Sequence, residues 1–274
     1  MLGADLIGFQ TYSFARHFLQ TTSRILGYET TPSSVRVHSA SVAVGIFPIG
    51  IDINAFLKRR CVQFTCKFRY LLLARRDTDE VQAILAQMRR FYSGMKVIVS
   101  RDKLDNIKGV PHKLLAFEEF LRVYPSWRGK VVMIQVATLS TSNRELELHI
   151  QELVTRINGT YGSLPYTPVI YHHQNLPFSH YAALLMLGDA CLITPLRDGM
   201  NLTAHEFVSC QKETGCPLIL SEFAGTYGSL GGALRVNPWD KRQVADSINE
   251  ALLMSEMELK LKHAVRIYFF CSLC

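Results

Sequence analysis

The sequence predicts an α/β fold in which a parallel sheet is flanked by helices on both faces. From Met95 onward, short apolar runs alternate with segments whose apolar residues recur at helical spacing. The runs are continuously apolar, as in strands buried on both faces, and this pattern is typical of parallel sheets. Ligands of such sheets bind beyond the carboxyl ends of the strands, so a site is expected in the loops that follow them.

The elements of this region are expected to alternate along the chain. Strands are predicted at 96–99, 131–136, 168–171, 190–193, 217–220 and 233–236. Helices are predicted after Pro111, over 144–158, 181–187 and 203–212, and from an N-cap at Asp240.

The patterns in the first part of the chain are weaker. A helix is predicted over residues 1–27, ending at Gly27. Its apolar face is expected to carry Phe14, Phe18, Ile25 and Leu26. A turn at 30–34 and short strands over 35–46 are predicted to follow.

Two segments remain before Met95. Residues 53–76 mix basic and apolar residues without a clear period, and we interpret them as an insertion or as sequence from a gene-model error. A membrane-surface helix or a partner-binding helix is the alternative. A further helix is predicted from Asp77 or Thr78, either of which suits an N-cap, with Val81, Ile84, Leu85 and Met88 on its apolar face.

Composition narrows the class of protein. The chain of 274 residues is 48% hydrophobic and 19% charged, which allows a core and argues against global disorder. Its net charge of +7 suits phosphorylated sugars and nucleotide sugars, whereas no Lys/Arg run is interleaved with aromatic residues, so nucleic acid is not an expected partner. The sequence has neither a run of about 20 apolar residues nor a secretory signal, so no membrane association or export is expected.

The seven cysteines do not form a disulfide framework. Cys191, Cys210 and Cys216 lie in apolar surroundings and are predicted to be buried free thiols, which indicates a reducing, cytoplasmic location. A zinc site is the alternative for the others, Cys61, Cys66, Cys271 and Cys274. Their flanks are poor in turn residues, so no metal is expected.

The strongest functional signal is the turn Asp198-Gly199-Met200-Asn201, between the strand at 190–193 and the helix at 203–212. Backbone N–H groups at the start of a helix lack partners and face the positive end of the helix dipole, where phosphate binds. Gly199 lets a ligand approach the backbone. Glu206, about one helical turn further on, is placed to accept the hydroxyl groups of a ribose. The alternative is an ordinary turn with a surface glutamate.

Several stretches, taken in order, resemble the trehalose-6-phosphate synthase family, which comprises retaining GT-B glycosyltransferases of family 20. These stretches are Leu2 to Thr11, Phe47 to Asp52, Lys103 to Gly109, Arg197 to Glu206, Ser221 to Gly225 and Val236 to Trp239. The resemblance implies a GT-B type fold with two Rossmann-like domains, of which the C-terminal one is nearly complete in this chain.

The resemblance also implies four regions. Residues 1–52 are expected to be a remnant of the first, acceptor-binding domain, and 53–94 a linker or insertion with a helix. Residues 95–263 are expected to form the nucleotide-sugar-binding domain, and 264–274 an aberrant tail.

The resemblance gives roles to residues of the central turn. Asp198 is expected to contact the glucose of UDP-glucose and Glu206 its ribose. The backbone amides expected to bind the phosphates are those of Gly199, Met200, Asn201 and Leu202. His172 and His173 come near where the family reads the uracil ring, with a structural role as the alternative.

A basic stretch after the strand at 96–99 supplies the expected catalytic cations. Lys108 matches the family's lysine, Lys103 stands where the family has an arginine, and Arg101 lies two residues from that position. These cations are expected to stabilise the departing diphosphate without a metal or other cofactor. A solvated charged loop is the alternative.

Further positions depart from the family's pattern. His205 replaces a lysine and is expected to be a packed or surface residue. The segment 138–143 lacks the arginine that binds the acceptor phosphate, and Arg144 is a weak substitute. These departures point to the synthase-like domain of fungal trehalose-phosphatase or regulatory subunits.

Two functions therefore follow from the resemblance. One is transfer of glucose from UDP-glucose to glucose 6-phosphate with retention, which yields trehalose 6-phosphate and UDP. The other is a weak or inactive module that acts as a scaffold among trehalose-synthesis subunits. We favour the scaffold for this polypeptide alone, since much of the family's acceptor pocket lies upstream of Met1. An unrelated nucleotide-binding protein is the third hypothesis.

Overall fold

A computed structural model of the chain describes residues 1–47, 79–138, 144–211 and 215–272. The chain divides into two compact units, Met1–Ile51 and Asp52–Cys274. Residues 53–76 and the predicted caps Asp77 and Thr78 lie outside the described residues. Among the residues that are described, no helix has both the length and the apolar character needed to cross a membrane.

The first unit is a sheet with one helix against it. Its elements are β1 (Leu6–Phe9), α1 (Tyr12–Leu26), β2 (Glu29–Thr31), β3 (Ser34–Val37) and β4 (Ala40–Ile46). The strand order is β1-β4-β3-β2, with β1 parallel to β4 and the other pairs antiparallel. Ala15, Val35 and Val44 form a small core between the helix and the sheet.

The predicted helix over residues 1–27 is wrong in its first third. Residues 6–9 form β1, because the parallel ladder with β4 gives them long-range partners that local sequence does not reveal. A Cβ at Gly8 would lie 2.8 Å from the Phe47 ring, so a larger residue there would require this exposed ring to move. The predicted end at Gly27 is confirmed, with φ at 71° and its N–H donating to the Ser23 carbonyl. Ile25 and Leu26, which were expected on the apolar face, are exposed.

The second unit alternates helices and strands. Its strands are β5 (Lys96–Lys103), β6 (Val131–Thr138), β7 (Val169–His173), β8 (Ala190–Ile193), β9 (Leu218–Ser221) and β10 (Leu234–Val236). Its helices are α2 (Asp79–Phe91), α3 (Val110–Val123), α4 (Arg144–Tyr161), α5 (Phe178–Leu187), α6 (Leu202–Cys210), α7 (Lys241–Leu253) and α8 (Glu256–Ser272).

The strands of the second unit form one parallel sheet, which confirms the predicted fold class. Their order is β10-β9-β8-β5-β6-β7, and every pair is parallel. Phe117 and Phe120 of α3 are fully buried in the core beneath the sheet. The predicted cap Asp240 accepts hydrogen bonds from the amides of Arg242 and Gln243 and begins α7.

Two strands run further than predicted. β5 continues to Lys103 because Ser100 to Lys103 pair with Gln135 to Thr138 of β6, so a tertiary ladder overrides the polar local sequence. β7 likewise includes His172 and His173, which pair with the end of β6. Arg101, Lys103 and both histidines therefore lie on strands rather than in the loops where they were predicted.

The final segment is the second half of a helix. Residues 264–272 continue α8 without a break. Arg266 is fully buried and donates to the carbonyl oxygens of Cys216 at 2.6 Å and of Gly215 at 3.3 Å. This guanidinium thus ties α8 to the chain just before β9.

Candidate functional site

The site lies where the direction of strand addition reverses. From β5 the sheet grows through β6 to β7 on one side, and from β8 through β9 to β10 on the other. β5 and β8 are neighbours, so the loops that follow them begin side by side at the carboxyl edge of the sheet. Ligands of open parallel sheets bind at such a switch point.

The loops after β5 and β8 are in direct contact. The Leu196 amide donates to the Ile107 carbonyl oxygen at 2.8 Å. Gly109 has φ at 67°, and a Cβ there would lie 2.9 Å from the Thr194 carbonyl oxygen. A side chain at position 109 would therefore be strained and would also push the two loops apart.

An ion pair joins the two loops. The Lys108 ammonium lies 2.7 Å from Oδ2 of Asp198, and the Asn201 amide donates to the same oxygen at 2.9 Å. The backbone of Asp198 is also fixed, since its N–H donates to Phe223 and its carbonyl accepts from Gly225. The carboxylate therefore has a defined position beside the lysine.

Asn201 has two roles in this arrangement. It is the N-cap of α6, and its side-chain oxygen accepts from the Ala204 amide at 3.1 Å. Its side-chain NH₂ binds Asp198, so one residue both starts the helix and positions the carboxylate. A Cβ added at Gly199 would have none of the described residues within 4 Å, apart from its chain neighbours, which leaves open space beside the helix start.

Glu206 is buried inside the site rather than on the surface. It is 6% exposed and accepts a hydrogen bond from the Tyr181 hydroxyl of α5. The Arg101 guanidinium lies 3.9 Å from its Oε2 and 4.5 Å from the centre of the Tyr181 ring. Burial, and then the charge of Glu206, raise the pKa of Tyr181 well above its ordinary value, so the hydroxyl is the donor.

A second charged cluster supports β5 from the opposite face. The Lys113 ammonium lies 2.6 Å from Oδ2 of Asp102, which also accepts from Gln135 at 3.0 Å. All three side chains are buried. Asp102 comes before the loop that carries Lys108, and Lys113 comes after it. The Asp102–Lys113 ion pair therefore joins the two ends of that loop.

The other predicted site residues are placed as follows. The Lys103 side chain is exposed and makes no hydrogen bond or ion pair with the described residues. His173 binds Glu147 through Nδ1 at 2.7 Å, whereas His172 is exposed. His205 is packed, as expected, with Nδ1 3.2 Å from the Asn201 carbonyl oxygen.

The turn itself leaves two predicted residues accessible. Met200 is half-buried, and Leu202, the first residue of α6, is 46% exposed. The described residues contain no group of three or more His, Cys, Asp or Glu side chains arranged to hold a metal ion.

Sequence reasoning missed Tyr181 and Lys113. Tyr181 begins the apolar part of a short helix. Its partners Arg101 and Glu206 are 80 and 25 residues away along the chain, so local sequence does not reveal the contacts. Lys113 lies within a helix whose other inward positions are apolar. A buried lysine is rare without a partner, so its place on the inward face of α3 was the one available signal.

The comparisons with known proteins cover almost the whole chain. The family model described as Glycosyltransferase family 20 matches residues 1–267. The UDP-forming alpha,alpha-trehalose-phosphate synthase A of Dictyostelium discoideum is 42% identical over 273 residues, which are 98% of this chain and 35% of that protein. The Schizosaccharomyces pombe synthase is 45% identical over 94% of this chain and 48% of its own length. The chain thus spans about half the length, or less, of these curated relatives.

Solved structures give the same picture. The N-terminal domain of Candida albicans trehalose-6-phosphate phosphatase is 41% identical with a TM-score of 0.87, over 99% of this chain and 55% of that one. An Escherichia coli protein bound with UDP-2-fluoro glucose is 30% identical with a TM-score of 0.82, over 98% and 58%. A Burkholderia xenovorans synthase in complex with glucose-6-phosphate has a TM-score of 0.84 at 29% identity, over 98% and 57%.

Proposed function

The chain belongs to glycosyltransferase family 20, and on that premise we propose that its second unit binds UDP-glucose at the switch point between β5 and β8. The observation that carries the proposal is the convergence of Lys108 and Asp198 from two loops beside the start of α6. A cation, a carboxylate and a helix N-terminus suit a diphosphate that carries a sugar.

The donor is expected to lie along the turn. The amides of Gly199, Met200, Asn201 and Leu202 bind its phosphates, and the open space at Gly199 admits them. Glu206 accepts from the ribose hydroxyls. Asp198 turns from Lys108 to a hydroxyl group of the glucose, which frees the ammonium for the diphosphate. His173 stays a candidate for the uracil ring.

We propose that the whole protein uses this donor in trehalose biosynthesis. The bond between the anomeric carbon of glucose and the diphosphate oxygen breaks, and a bond to the anomeric oxygen of glucose 6-phosphate forms with retention. The acceptor hydroxyl passes its proton to the departing diphosphate oxygen, and UDP and trehalose 6-phosphate are the products. Relatives that carry the name UDP-forming trehalose-phosphate synthase support this substrate pair.

Lys108 is the residue proposed to lower the barrier. Negative charge develops on the departing diphosphate, and a fixed cation stabilises the transition state more than the ground state. Lys103 is the second proposed cation, and as an ammonium it acts as a point charge without the two-pronged geometry of arginine. The proposal needs no metal, so treatment with EDTA should leave the rate unchanged.

A scaffold within an assembly of trehalose-synthesis subunits is the second candidate. The similarity to the N-terminal domain of the Candida albicans phosphatase favours it. The curated relatives favour the synthase, which is therefore the first candidate. We also propose a cytosolic location, which agrees with the thiols of Cys191 and Cys216, neither of which is in a disulfide.

Release of UDP from UDP-glucose, measured with and without glucose 6-phosphate, separates the candidates. Acceptor-dependent release supports the synthase and overturns the scaffold. Binding of UDP without such release supports the scaffold. A chain that neither binds UDP nor releases it contradicts the donor site on which both candidates depend.

A further inference from the structure

Tyr181 and Arg101 form a layer behind Glu206 that the family resemblance does not include. We infer that Tyr181 is a positioning residue, which presents the Glu206 carboxylate to the ribose hydroxyls and makes the site selective for ribonucleotides. The inference rests on the proposed binding of UDP. It concerns how one carboxylate is prepared for that ligand.

The geometry fixes the carboxylate from one side. Tyr181 is 4% exposed, and its hydroxyl donates to Oε2 of Glu206 from the neighbouring helix. The Arg101 guanidinium lies 3.9 Å from the same oxygen. Among the described residues, the two contacts of the Glu206 carboxylate, with Tyr181 and Arg101, are therefore both made to Oε2. Oε1 is the atom left for a ligand.

The charges explain why three groups are needed. A carboxylate that is only 6% exposed is costly unless it is paired and hydrogen-bonded. Arg101 supplies the opposite charge. Its guanidinium carbon lies over the Tyr181 ring, 4.5 Å from the ring centre, in a cation–π contact. The Glu206 carboxylate is therefore paired with a cation and hydrogen-bonded at a buried place, which fixes its position.

An ordered carboxylate binds hydroxyl groups with little loss of side-chain entropy. A site built to hydrogen-bond a hydroxyl also discriminates against a ligand that lacks it, because its buried polar group is then left unpaired. Selectivity for UDP over 2′,3′-dideoxy-UDP thus measures how well Glu206 is presented. Loss of the Tyr181 hydroxyl should reduce that selectivity.

The test is calorimetric titration of the wild-type chain and the Tyr181→Phe variant with UDP and with 2′,3′-dideoxy-UDP. The variant keeps the ring beneath Arg101 and removes one oxygen atom. Tyr166→Phe is the matched control, since its hydroxyl is also buried and donates to the Val131 carbonyl at the opposite end of the sheet.

We expect Tyr181→Phe to weaken UDP binding roughly five- to tenfold and to leave dideoxy-UDP binding within about twofold of wild type. The measured quantity is the ratio of the two affinities, which is independent of the folded fraction because both ligands bind the same folded molecules. Arg101→Gln is a second variant at a partly exposed position, and it should lower the ratio in the same direction. Its effect on the diphosphate cancels in the ratio.

If Tyr181→Phe leaves the ratio of UDP to dideoxy-UDP affinity unchanged, the inference is overturned. The proposed function still stands in that case, provided that the wild-type chain binds UDP. An equal loss for both ligands also overturns it, because that result indicates a purely structural role. A wild-type chain that does not bind UDP removes the proposed function and the inference together.

Discussion

The Lys108 ammonium contacts the Asp198 carboxylate at 2.7 Å, and this ion pair bridges two loops that are 90 residues apart in the chain. The loops follow adjacent strands at the switch point of the sheet. Each charge balances the other, and the carboxylate is further held by Asn201. The pair sets the position of the one cation that the proposed chemistry needs most.

Lys108→Ala should weaken UDP binding about tenfold, because a charge-assisted contact to the diphosphate is lost. Calorimetric titration measures the change. Lys130→Ala removes the same charge from an exposed position that immediately precedes β6, at the opposite end of the sheet, and should stay within about twofold of wild type. Equal losses in both variants would mean that net charge, rather than the position of Lys108, controls binding.

Asn201→Ala should lower the free energy of unfolding by about 1 kcal/mol, since α6 loses its N-cap. Urea denaturation measures this change. Asn201→Ser is the control, because serine also caps helices but cannot reach Asp198 as the longer amide does. We expect it to restore stability, and an equally unstable serine variant would show that the cap is not the cause.

The fold could be predicted largely from sequence, and the extent of the site could not. The α/β class and the GT-B type are confirmed. The class could be predicted because continuous apolar runs such as 190–193 are typical of strands buried in a parallel sheet. The helix start at Asp240 is also confirmed, since capping is local chemistry. β1 was missed because its pairing with β4 is long-range.

The same distinction holds at the site. The turn at Asp198 and Gly199 has a local pattern and was singled out. Glu206 was singled out as a ribose-binding residue, with a surface glutamate as the alternative. Its burial was not predicted, since it depends on Tyr181 and Arg101, which reach it from other elements. The roles assigned to Lys103, Lys108 and His173 stay predictions, and of these only Lys108 is placed against another predicted site residue, Asp198.

Lys113→Met should lower the free energy of unfolding by about 3–5 kcal/mol, because it leaves the Asp102 carboxylate buried without its cation. Lys96→Met is the matched control. Its partner Asp189 lies 2.8 Å away, but both side chains are partly exposed, so a loss of about 1 kcal/mol or less is expected. Urea denaturation of both variants checks this, and similar losses would show that burial does not govern the strength of the two pairs.

His263 should make the second unit sensitive to acid. Burial, and then the charge of Arg266, lower the pKa of His263 below its ordinary value. The unfolded chain therefore binds a proton more readily than the folded chain, so the free energy of unfolding falls as pH falls below about 6.5. Burial also lowers the pKa of His112, so His263 accounts for only part of the change in the free energy of unfolding with pH.

Denaturation of His263→Leu at about pH 7.5 and about pH 5.5 tests that statement. The variant should lose less stability between the two conditions than the wild type. His149→Leu changes an exposed histidine on α4 and should keep the wild-type difference. A His263 variant with the full wild-type difference would assign the acid sensitivity to other groups.

The proposed binding of a diphosphate by the amides beside Gly199 can be observed in proton–nitrogen correlation spectra of the chain during a titration with UDP. We expect saturable shifts of the Gly199, Met200 and Leu202 amide signals with UDP, and much smaller shifts of these signals with uridine, which has no phosphates. Shifts confined to other parts of the chain, or shifts of the same size with uridine, would contradict it.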